Sequence, residues 1–219
     1  MVLIMGVDEA GRGPVIGPMV VCGAAISEDD LHEIESMGLK DSKKLTPKKR
    51  EEFSIRLKDV CKFELLVVEP SQIDLRIPNE ESLNMLEVEC FSKVILKSRP
   101  DIVYIDSCDV NPGRFGLNVK KLLDFEAEII SAHQADSKYP IVSAASIIAK
   151  VHRDSLVRKI SESIGEDVGS GYPGDEVTIE FLKRYYMKNK KMPEFVRKSW
   201  KTTANIINEL SQARLTEYF

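Results

Sequence analysis

The sequence predicts an α/β fold with a mixed β-sheet, and three observations support this prediction. Short apolar runs rich in β-branched residues alternate with longer segments that repeat apolar residues at helical spacing. The first two runs are joined only by a glycine-rich turn, which predicts a hairpin. That turn, GRGPVIG, lacks the GxGxxG spacing and leads into a strand, so a dinucleotide-binding Rossmann fold is disfavoured.

The first half of the chain is predicted to form the hairpin, a helix and a further strand. VLIMGVD and PMVVCGAAI are the hairpin strands, and Asp8 and Glu9 lie at the tip of the hairpin. Thr46 followed by Pro47 is a typical helix start, and the amphipathic pattern continues to about Lys58. The next segment, CKFELLVVE, has the composition of a strand.

The second half is predicted to contain two strands between longer helices. A helix over residues 79–98 has apolar residues at helical spacing and stops at Pro100. DIVYID forms a strand that ends at Asp106, and EAEIISAH forms another. A long helix runs from Pro140 to about Ile164, and its small residues allow close packing. The loop EDVGSGYPGD marks a boundary, after which we expect one or two basic helices and a short tail.

The composition is typical of a soluble globular protein, with 43% hydrophobic and 30% charged residues in 219. No tract of about 18 apolar residues could span a bilayer, and two acids occur too early for a signal peptide. We therefore expect a monomeric, cytoplasmic protein. The cysteines lack CxxC pairing, which predicts reduced packing residues and neither disulfides nor a zinc site. They are Cys22, Cys61, Cys90 and Cys108.

Basic residues are concentrated in two runs, although the net charge is −4. Residues 40–50 contain six cations and one acid. Residues 183–201 contain eight cations and one acid, with aromatic residues interleaved, and Trp200 is expected to anchor the C-terminal helices. Either run alone is more typical of a solvated helix face. Together they favour a polyanion that is held from two sides, with Lys43 and Lys44 among its contacts.

Acidic residues occur where the predicted strands end, and α/β sheets gather their functional residues there. Asp8 lies near the end of the first strand, Asp106 ends a later strand, and Asp136 precedes the long helix. Clustered carboxylates repel one another unless a cation lies among them, and all-oxygen ligands favour Mg²⁺ or Mn²⁺. Such a site suits phosphoryl transfer by two ions. The alternative is that these are ordinary surface acids among 35.

Glu9 presents a geometric difficulty, because consecutive strand residues point to opposite faces of a sheet. Asp8 and Glu9 can share one site only if the strand ends or bulges beside them. Gly11 and Gly13, which follow directly, favour such a break.

Four motifs resemble, in order and spacing, those of type 2 ribonuclease H, specifically the archaeal ribonuclease HII family. They are GVDEAGRGPVIGP, LKDSKKLT, YIDS and ADSKYPIVSAASIIAKVHRD. The resemblance runs from Met5 to about Tyr172 and, more loosely, to the C terminus. It implies an RNase H-like mixed sheet flanked by helices, with a small C-terminal helical extension. Residues 1–168 would form the catalytic domain, residues 169–211 the substrate-binding extension and residues 212–219 a clamp-binding tail.

The resemblance also implies an activity and its residues. It implies an endonuclease that hydrolyses the RNA strand of RNA–DNA hybrids and cuts at ribonucleotides embedded in duplex DNA. A two-metal-ion mechanism with Mn²⁺ or Mg²⁺ would leave 5′-phosphate and 3′-hydroxyl ends. The implied metal ligands and catalytic residues are Asp8, Glu9, Asp106 and Asp136.

The glycine-rich loop and one tyrosine are implied to recognise the sugar. In the family, residues matched by Gly11, Arg12 and Gly13 contact ribose 2′-hydroxyls, and a tyrosine matched by Tyr172 senses the junction between ribo- and deoxyribonucleotide. Only the 2′-hydroxyl distinguishes RNA from DNA at one sugar, and glycines let the backbone approach it closely. The alternatives are a plain hairpin turn and a core tyrosine.

The last eight residues, QARLTEYF, resemble the peptide by which replication and repair enzymes bind a PCNA-type sliding clamp. One helical turn would gather the apolar residues of this pattern into a plug for a hydrophobic groove. The alternative is a frayed terminus whose aromatic residues pack on their own domain. The residues that match the pattern are Gln212, Leu215, Tyr218 and Phe219.

Two other functions remain open at this point. Another RNase H-fold nuclease, such as a resolvase or exonuclease, would share the carboxylates but would not need a 2′-hydroxyl sensor. A catalytically inactive nucleic-acid-binding subunit would not need intact acids. The GRG loop argues against the first alternative, and the four intact acids argue against the second.

Overall fold

The computed structural model describes residues 1–39, 45–76 and 81–216, with side chains as far as residue 212. These residues form a five-stranded sheet flanked by helices, which confirms the predicted α/β fold. The strands are β1 (Leu3–Ala10), β2 (Met19–Ser27), β3 (Lys62–Val68), β4 (Ile102–Asp106) and β5 (Glu128–Ala132). The helices are α1 (Leu31–Ser36), α2 (Pro47–Val60), α3 (Pro70–Leu75), α4 (Leu83–Ser98), α5 (Pro112–Lys121), α6 (Ala135–Lys138), α7 (Pro140–Ile164), α8 (Glu176–Asn189) and α9 (Lys201–Thr216).

The sheet is mixed, as predicted, with strand order β3-β2-β1-β4-β5. β1 pairs antiparallel with β2, from Leu3 opposite Ser27 to Ala10 opposite Val20. On its other side β1 runs parallel to β4, and that pairing ends with Val7 opposite Ile105. β4 in turn runs parallel to β5. Because β1 and β4 are parallel, their carboxyl ends lie at the same edge of the sheet.

Close packing of α7 on β1 depends on a glycine. A Cβ atom on Gly6 would lie 2.3 Å from the carbonyl oxygen of Ile141, so no other residue fits there without a shift of backbone. The following turn of α7 is small and buried, with Ser143, Ala144 and Ala145 at most 2% exposed. The predicted close packing of this helix is thereby confirmed, and it brings the first two turns of α7 against the strand that carries Asp8.

Four short helices, α1, α3, α5 and α6, were not predicted from the sequence pattern. In α5 the apolar pattern is short and two glycines weaken it, but Asn111 caps the helix by accepting a hydrogen bond from the Arg114 backbone N–H at 3.0 Å. A Cβ on Gly116 would lie 2.9 Å from Ser131 Cβ, so this glycine permits contact with β5. α4 starts at Leu83, later than predicted, because the Ser82 hydroxyl caps it.

The chain divides into two compact units that interleave along the sequence. The sheet unit comprises residues 1–10, 20–67 and 82–152, and the helical unit comprises residues 11–19, 68–81 and 153–219. The glycine-rich turn therefore belongs to the helical unit, although it follows Ala10 directly. The predicted parts ending at residues 168 and 211 stay a prediction. No helix among the described residues is long and apolar enough to cross a membrane.

The helical unit has its own apolar core, to which α8 and α9 contribute Phe181, Leu182 and Ile206. Trp200 packs against this core, as predicted for an anchor of the C-terminal helices. Gln212 is exposed near the end of α9. The other residues predicted to contact a clamp, Leu215, Tyr218 and Phe219, lie outside the described side chains, and Lys43 and Lys44 lie outside the described residues.

The four cysteines are free thiols, as predicted. Cys22, Cys61 and Cys90 are buried, whereas Cys108 is half-buried.

Candidate active site

Three carboxylates come together at the edge of the sheet where β1 and β4 end. Asp8, Asp106 and Asp136 each offer one oxygen, and these oxygens lie within 4.8 Å of one another. Asp8 and Asp106 come directly after Val7 and Ile105, the last pair of the β1–β4 register, so the parallel pairing places them side by side. Asp136 comes from α6 and, like Asp8, is only 5% exposed.

Backbone and hydroxyl donors orient these carboxylates. Asp106 Oδ1 accepts a hydrogen bond from the Ala135 N–H at 3.0 Å, which links the end of β4 to the first turn of α6. Asp8 Oδ1 accepts from the Glu9 N–H at 2.7 Å. The Ser146 hydroxyl on α7 also donates to Asp8, and this bond opposes the rise in the Asp8 pKa. From the sequence, Ser146 was noted only as a small packing residue.

Burial and mutual repulsion disfavour the ionised forms of the carboxylates at this site. Burial and the Asp106 carboxylate raise the pKa of Asp8 from 3.8 to about 7. Burial, Asp8 and Glu87 raise the pKa of Glu9 well above its ordinary value. A cation among the carboxylates would favour their ionised forms and so reverse both shifts.

Glu9 falls outside the group of three oxygens found among the described residues. β1 runs through both acids to Ala10, and its pairing with β2 continues to that residue without a bulge, so the predicted break beside Asp8 and Glu9 is not found there. Asp8 and Asp106 both contribute to the raised pKa of Glu9, so its carboxyl group lies within electrostatic range of the cluster. The structure therefore groups three of the four predicted acids and places the fourth beside them.

Glu87 is a further acid near this site that sequence reasoning missed. It is fully buried on α4, accepts a hydrogen bond from the Cys108 thiol, and raises the pKa of Glu9. The signal in the sequence was an acid on the apolar stripe of a helix, four residues after Leu83 and four before Phe91.

The donor set fits a hard divalent cation. Asp8, Asp106 and Asp136 supply only carboxylate oxygens, which Mg²⁺ and Mn²⁺ prefer, and neither histidine nor cysteine belongs to the group among the described residues. A cavity of about 290 Å³ opens beside Asp136, with Lys138 in its wall. The three grouped acids therefore have the ligand chemistry that the sequence predicted.

The glycine-rich loop of the helical unit is exposed at its centre. Gly11 has φ +87°, and a Cβ there would lie 2.8 Å from the Pro18 carbonyl oxygen, so glycine is required on both counts. Gly13 is exposed, and a Cβ on it would lie 3.9 Å from Tyr172 Cε1. Tyr172 is 39% exposed and lies over the guanidinium of Arg153 at 5.4 Å, so the alternative of a core tyrosine is wrong.

The cations of the second basic run differ in burial and pairing, and the polyanion contact predicted for the run stays a prediction. Arg197 is fully buried. Lys183 pairs with Glu209 at 2.7 Å, and Arg184 pairs with Glu166. A count of charges along the sequence could not distinguish a buried or paired cation from a free one.

Comparison with known proteins gives consistent matches over nearly the whole chain. The family model described as Ribonuclease HII matches residues 5–203. A Ribonuclease HII from Methanocella arvoryzae is 65% identical over 215 residues, which cover 98% of this chain and 96% of that protein.

Two solved structures are also similar. The crystal structure of the ribonuclease H2 from Pyrococcus horikoshii OT3 matches with a TM-score of 0.90 and 44% identity, covering 96% of this chain and 99% of that chain. A chain in the structure of the PCNA:RNase HII complex from Archaeoglobus fulgidus matches with a TM-score of 0.83 and 41% identity. The match covers 93% of this chain and 96% of that chain. None of these four matches favours a resolvase, an exonuclease or an inactive subunit. The chain belongs to the ribonuclease HII family and is a ribonuclease H, an endonuclease that acts on RNA–DNA hybrids with a divalent metal.

Proposed function

We propose that this ribonuclease H also cuts at single ribonucleotides embedded in duplex DNA, through two Mn²⁺ or Mg²⁺ ions held by four acids. The observation that carries the proposal is the grouping of three carboxylate oxygens within 4.8 Å at the end of two parallel strands. The proposed ligands and catalytic residues are Asp8, Glu9, Asp106 and Asp136, and cleavage would leave 5′-phosphate and 3′-hydroxyl ends.

Hydrogen bonds within the chain orient the carboxylates of this site in the absence of a cation. Asp8 and Asp106 are held by backbone N–H donors, so little reorganisation is needed on binding. Two such ions, when bound, would supply an activated water and stabilisation of the leaving oxygen of a phosphodiester. Glu9 would be a further ligand, because a nearby cation would favour its ionised form over the protonated form that burial favours.

Sugar recognition is proposed for the exposed part of the loop. Gly11, Arg12 and Gly13 would place backbone groups against the ribose 2′-hydroxyl, which can both donate and accept a hydrogen bond. Tyr172, beside Gly13, would pack on the adjoining sugar, where a missing hydroxyl marks the junction with deoxyribonucleotide.

A cleavage assay on three labelled duplexes tests the proposed function. We expect cutting of a duplex with one embedded ribonucleotide and of an RNA–DNA hybrid, both only with Mn²⁺ or Mg²⁺, and no cutting of the matched all-DNA duplex. EDTA should stop both reactions. Cleavage of the hybrid alone would contradict action at embedded ribonucleotides, and cleavage of the all-DNA duplex would contradict sugar recognition.

Replacing Tyr172 by Ala is expected to slow cleavage at an isolated ribonucleotide about tenfold more than cleavage within an all-RNA strand. Stacking of a base on an aromatic ring is worth about 1–3 kcal/mol. We expect a contribution at the lower end of this range from the ring at the sugar junction, which only the isolated site has. Single-turnover rates on both substrates measure the effect, with Tyr172→Phe as the control that keeps the ring. Equal losses on the two substrates would assign Tyr172 a structural role.

We further propose that the tail binds a PCNA-type sliding clamp. The solved PCNA:RNase HII complex from Archaeoglobus fulgidus contains a chain similar to this one, which supports a clamp as partner. Gln212, the first residue of the pattern, is exposed on α9. The remaining pattern residues, Leu215, Tyr218 and Phe219, provide the apolar side chains that such a groove binds.

Removal of residues 212–219 is expected to abolish clamp binding and to leave cleavage of a free oligonucleotide hybrid unchanged, because the tail is distant in sequence from the proposed active-site residues. Calorimetric titration of the clamp from the same organism measures binding. Glu217→Gln, at a position outside the pattern, is the matched control. Equal affinities of full-length and truncated protein would show that the tail is not the docking peptide.

A further inference from the structure

A fully buried arginine, Arg197, donates hydrogen bonds to the backbone of the glycine-rich loop. All three guanidinium nitrogens of Arg197 donate to backbone carbonyls of this loop: Nε to Gly17 at 3.1 Å, Nη1 to Arg12 at 2.8 Å, and Nη2 to Gly11. Arg197 is 0% exposed and lies about 180 residues away in the chain. Pairing of the two backbones brings it there, since its own N–H donates to the Val15 carbonyl at 2.9 Å.

Neighbouring groups complete this support. Trp200 Nε1 donates to the Gly13 carbonyl at 3.1 Å, and its ring lies 4.8 Å from the Arg197 guanidinium. Asp74, on α3, accepts hydrogen bonds from the backbone N–H groups of Lys198 at 2.8 Å and Ser199 at 3.1 Å. The segment between Arg197 and Trp200 is therefore fixed from a second element. Together these residues bind the carbonyls of three consecutive loop residues.

Binding the carbonyls also sets the direction of the backbone donors. The peptide unit is planar and trans, so each N–H points away from the C=O of the preceding residue. Because the Gly11 and Arg12 carbonyls point at Arg197, the N–H groups of Arg12 and Gly13 point to the opposite side. Pro14 follows Gly13 and has no N–H, so Arg12 and Gly13 carry the last N–H groups of this run that point away from Arg197.

The positive charge of Arg197 does not explain why a guanidinium occupies this position. Burial, with a contribution from Arg153, lowers the pKa of Arg197 to about 9, so the surroundings disfavour its charge. None of the ion pairs within the described part of the chain includes Arg197. An apolar residue there would leave the carbonyls of Gly11, Arg12 and Gly17 without these donors. The planar guanidinium has several donors, so it can contact several carbonyls at the same time, which other side chains cannot do.

We propose that Arg197, supported by Trp200, is a positioning residue for ribose recognition, because it aims the Arg12 and Gly13 N–H groups at the substrate sugar. This inference rests on the proposed function of the loop and adds to it a specificity determinant that does not touch the substrate. Its effect is on discrimination between ribose and deoxyribose, whereas phosphate binding depends on other groups.

Binding of two duplexes that differ by one 2′-hydroxyl tests the inference. Each variant is made in the full-length chain with Asp106→Asn, so that cleavage does not interfere, and fluorescence anisotropy in Mn²⁺ measures both dissociation constants. The readout is the ratio of Kd for the all-DNA duplex to Kd for the duplex with one ribonucleotide. Arg99→Lys is the matched control. Arg99 is an exposed, ion-paired arginine that lies before β4, at the other end of this strand from Asp106.

We expect Arg197→Lys to lower this ratio about tenfold, equivalent to about 1.4 kcal/mol, while Kd for the all-DNA duplex stays within about twofold of the parent. Lysine keeps the charge but cannot contact several carbonyls at once. Trp200→Phe keeps an aromatic ring but removes the donor to Gly13, and it should lower the ratio about threefold. If Arg197→Lys does not fold, the ratio for Trp200→Phe tests the positioning role. Arg99→Lys should leave the ratio unchanged.

The remaining outcomes overturn the inference. If the parent discriminates but Arg197→Lys and Trp200→Phe keep its ratio, the positioning role is wrong while the proposed function stands. If the variants weaken binding of both duplexes equally, with a lower melting temperature, Arg197 is merely structural. If the parent binds both duplexes equally, sugar recognition by the loop is wrong as well.

Discussion

Replacing Asp106 by Asn is expected to slow metal-dependent cleavage by at least about a thousandfold and to leave the metal-free protein as stable as the wild type or more stable. A bound cation contributes several kcal/mol to such a reaction, and each 1.36 kcal/mol is tenfold in rate. The amide is isosteric, and its oxygen can still accept from the Ala135 N–H. It also removes a negative charge that raises the pKa of Asp8, so repulsion within the cluster falls.

Single-turnover cleavage and thermal melting in EDTA measure the two effects. Asp124→Asn is the control, because Asp124 is an exposed acid paired with Arg99. Its removal should change neither rate nor melting temperature by much. Turnover of Asp106→Asn near the wild-type rate would contradict its role as a ligand. A lower melting temperature would contradict the argument from repulsion and leave the catalytic role intact.

The metal-free protein is expected to lose stability as pH rises from about 4 to about 7, and a divalent metal should reverse the loss. Below pH 3.8 the Asp8 carboxyl is protonated in both the folded and the unfolded state. Between 3.8 and about 7 it ionises in the unfolded chain but stays protonated in the fold, so rising pH favours unfolding. The expected loss of unfolding free energy is about 2–4 kcal/mol.

Urea unfolding between pH 4 and pH 8 in EDTA measures this dependence. Asp8→Asn should make the curve less steep, since the amide does not titrate while Glu9, whose pKa is also raised, still does, whereas Asp124→Asn should leave it unchanged. Adding Mn²⁺ at pH 7.5 should stabilise the wild type by mass action and stabilise Asp8→Asn much less. The same pH dependence in the wild type and in Asp8→Asn would show that Asp8 is not held protonated in the metal-free fold.

Local patterns determined much of the fold before any tertiary contact was known. The hairpin, the strands through Asp106 and through Ile130, and α7 follow from apolar periodicity and from caps such as Thr46 with Pro47. Short helices were missed because four to ten residues provide too little periodicity, as in α5, where Gly113 and Gly116 weaken the pattern. The acids were predicted from their places at strand ends, and resemblance of four motifs to one family named their chemistry.

The sequence by itself therefore determined the class of fold, the identity of the acids and the composition of the loop. Only the tertiary structure decided which groups meet: the β1–β4 register sets Asp8 beside Asp106, and α6 adds Asp136. It also decided that Arg197 is buried and contacts a loop about 180 residues earlier. The physical reason is that periodicity and caps act over a few residues, whereas burial and hydrogen bonding of a side chain depend on segments that are distant in the chain.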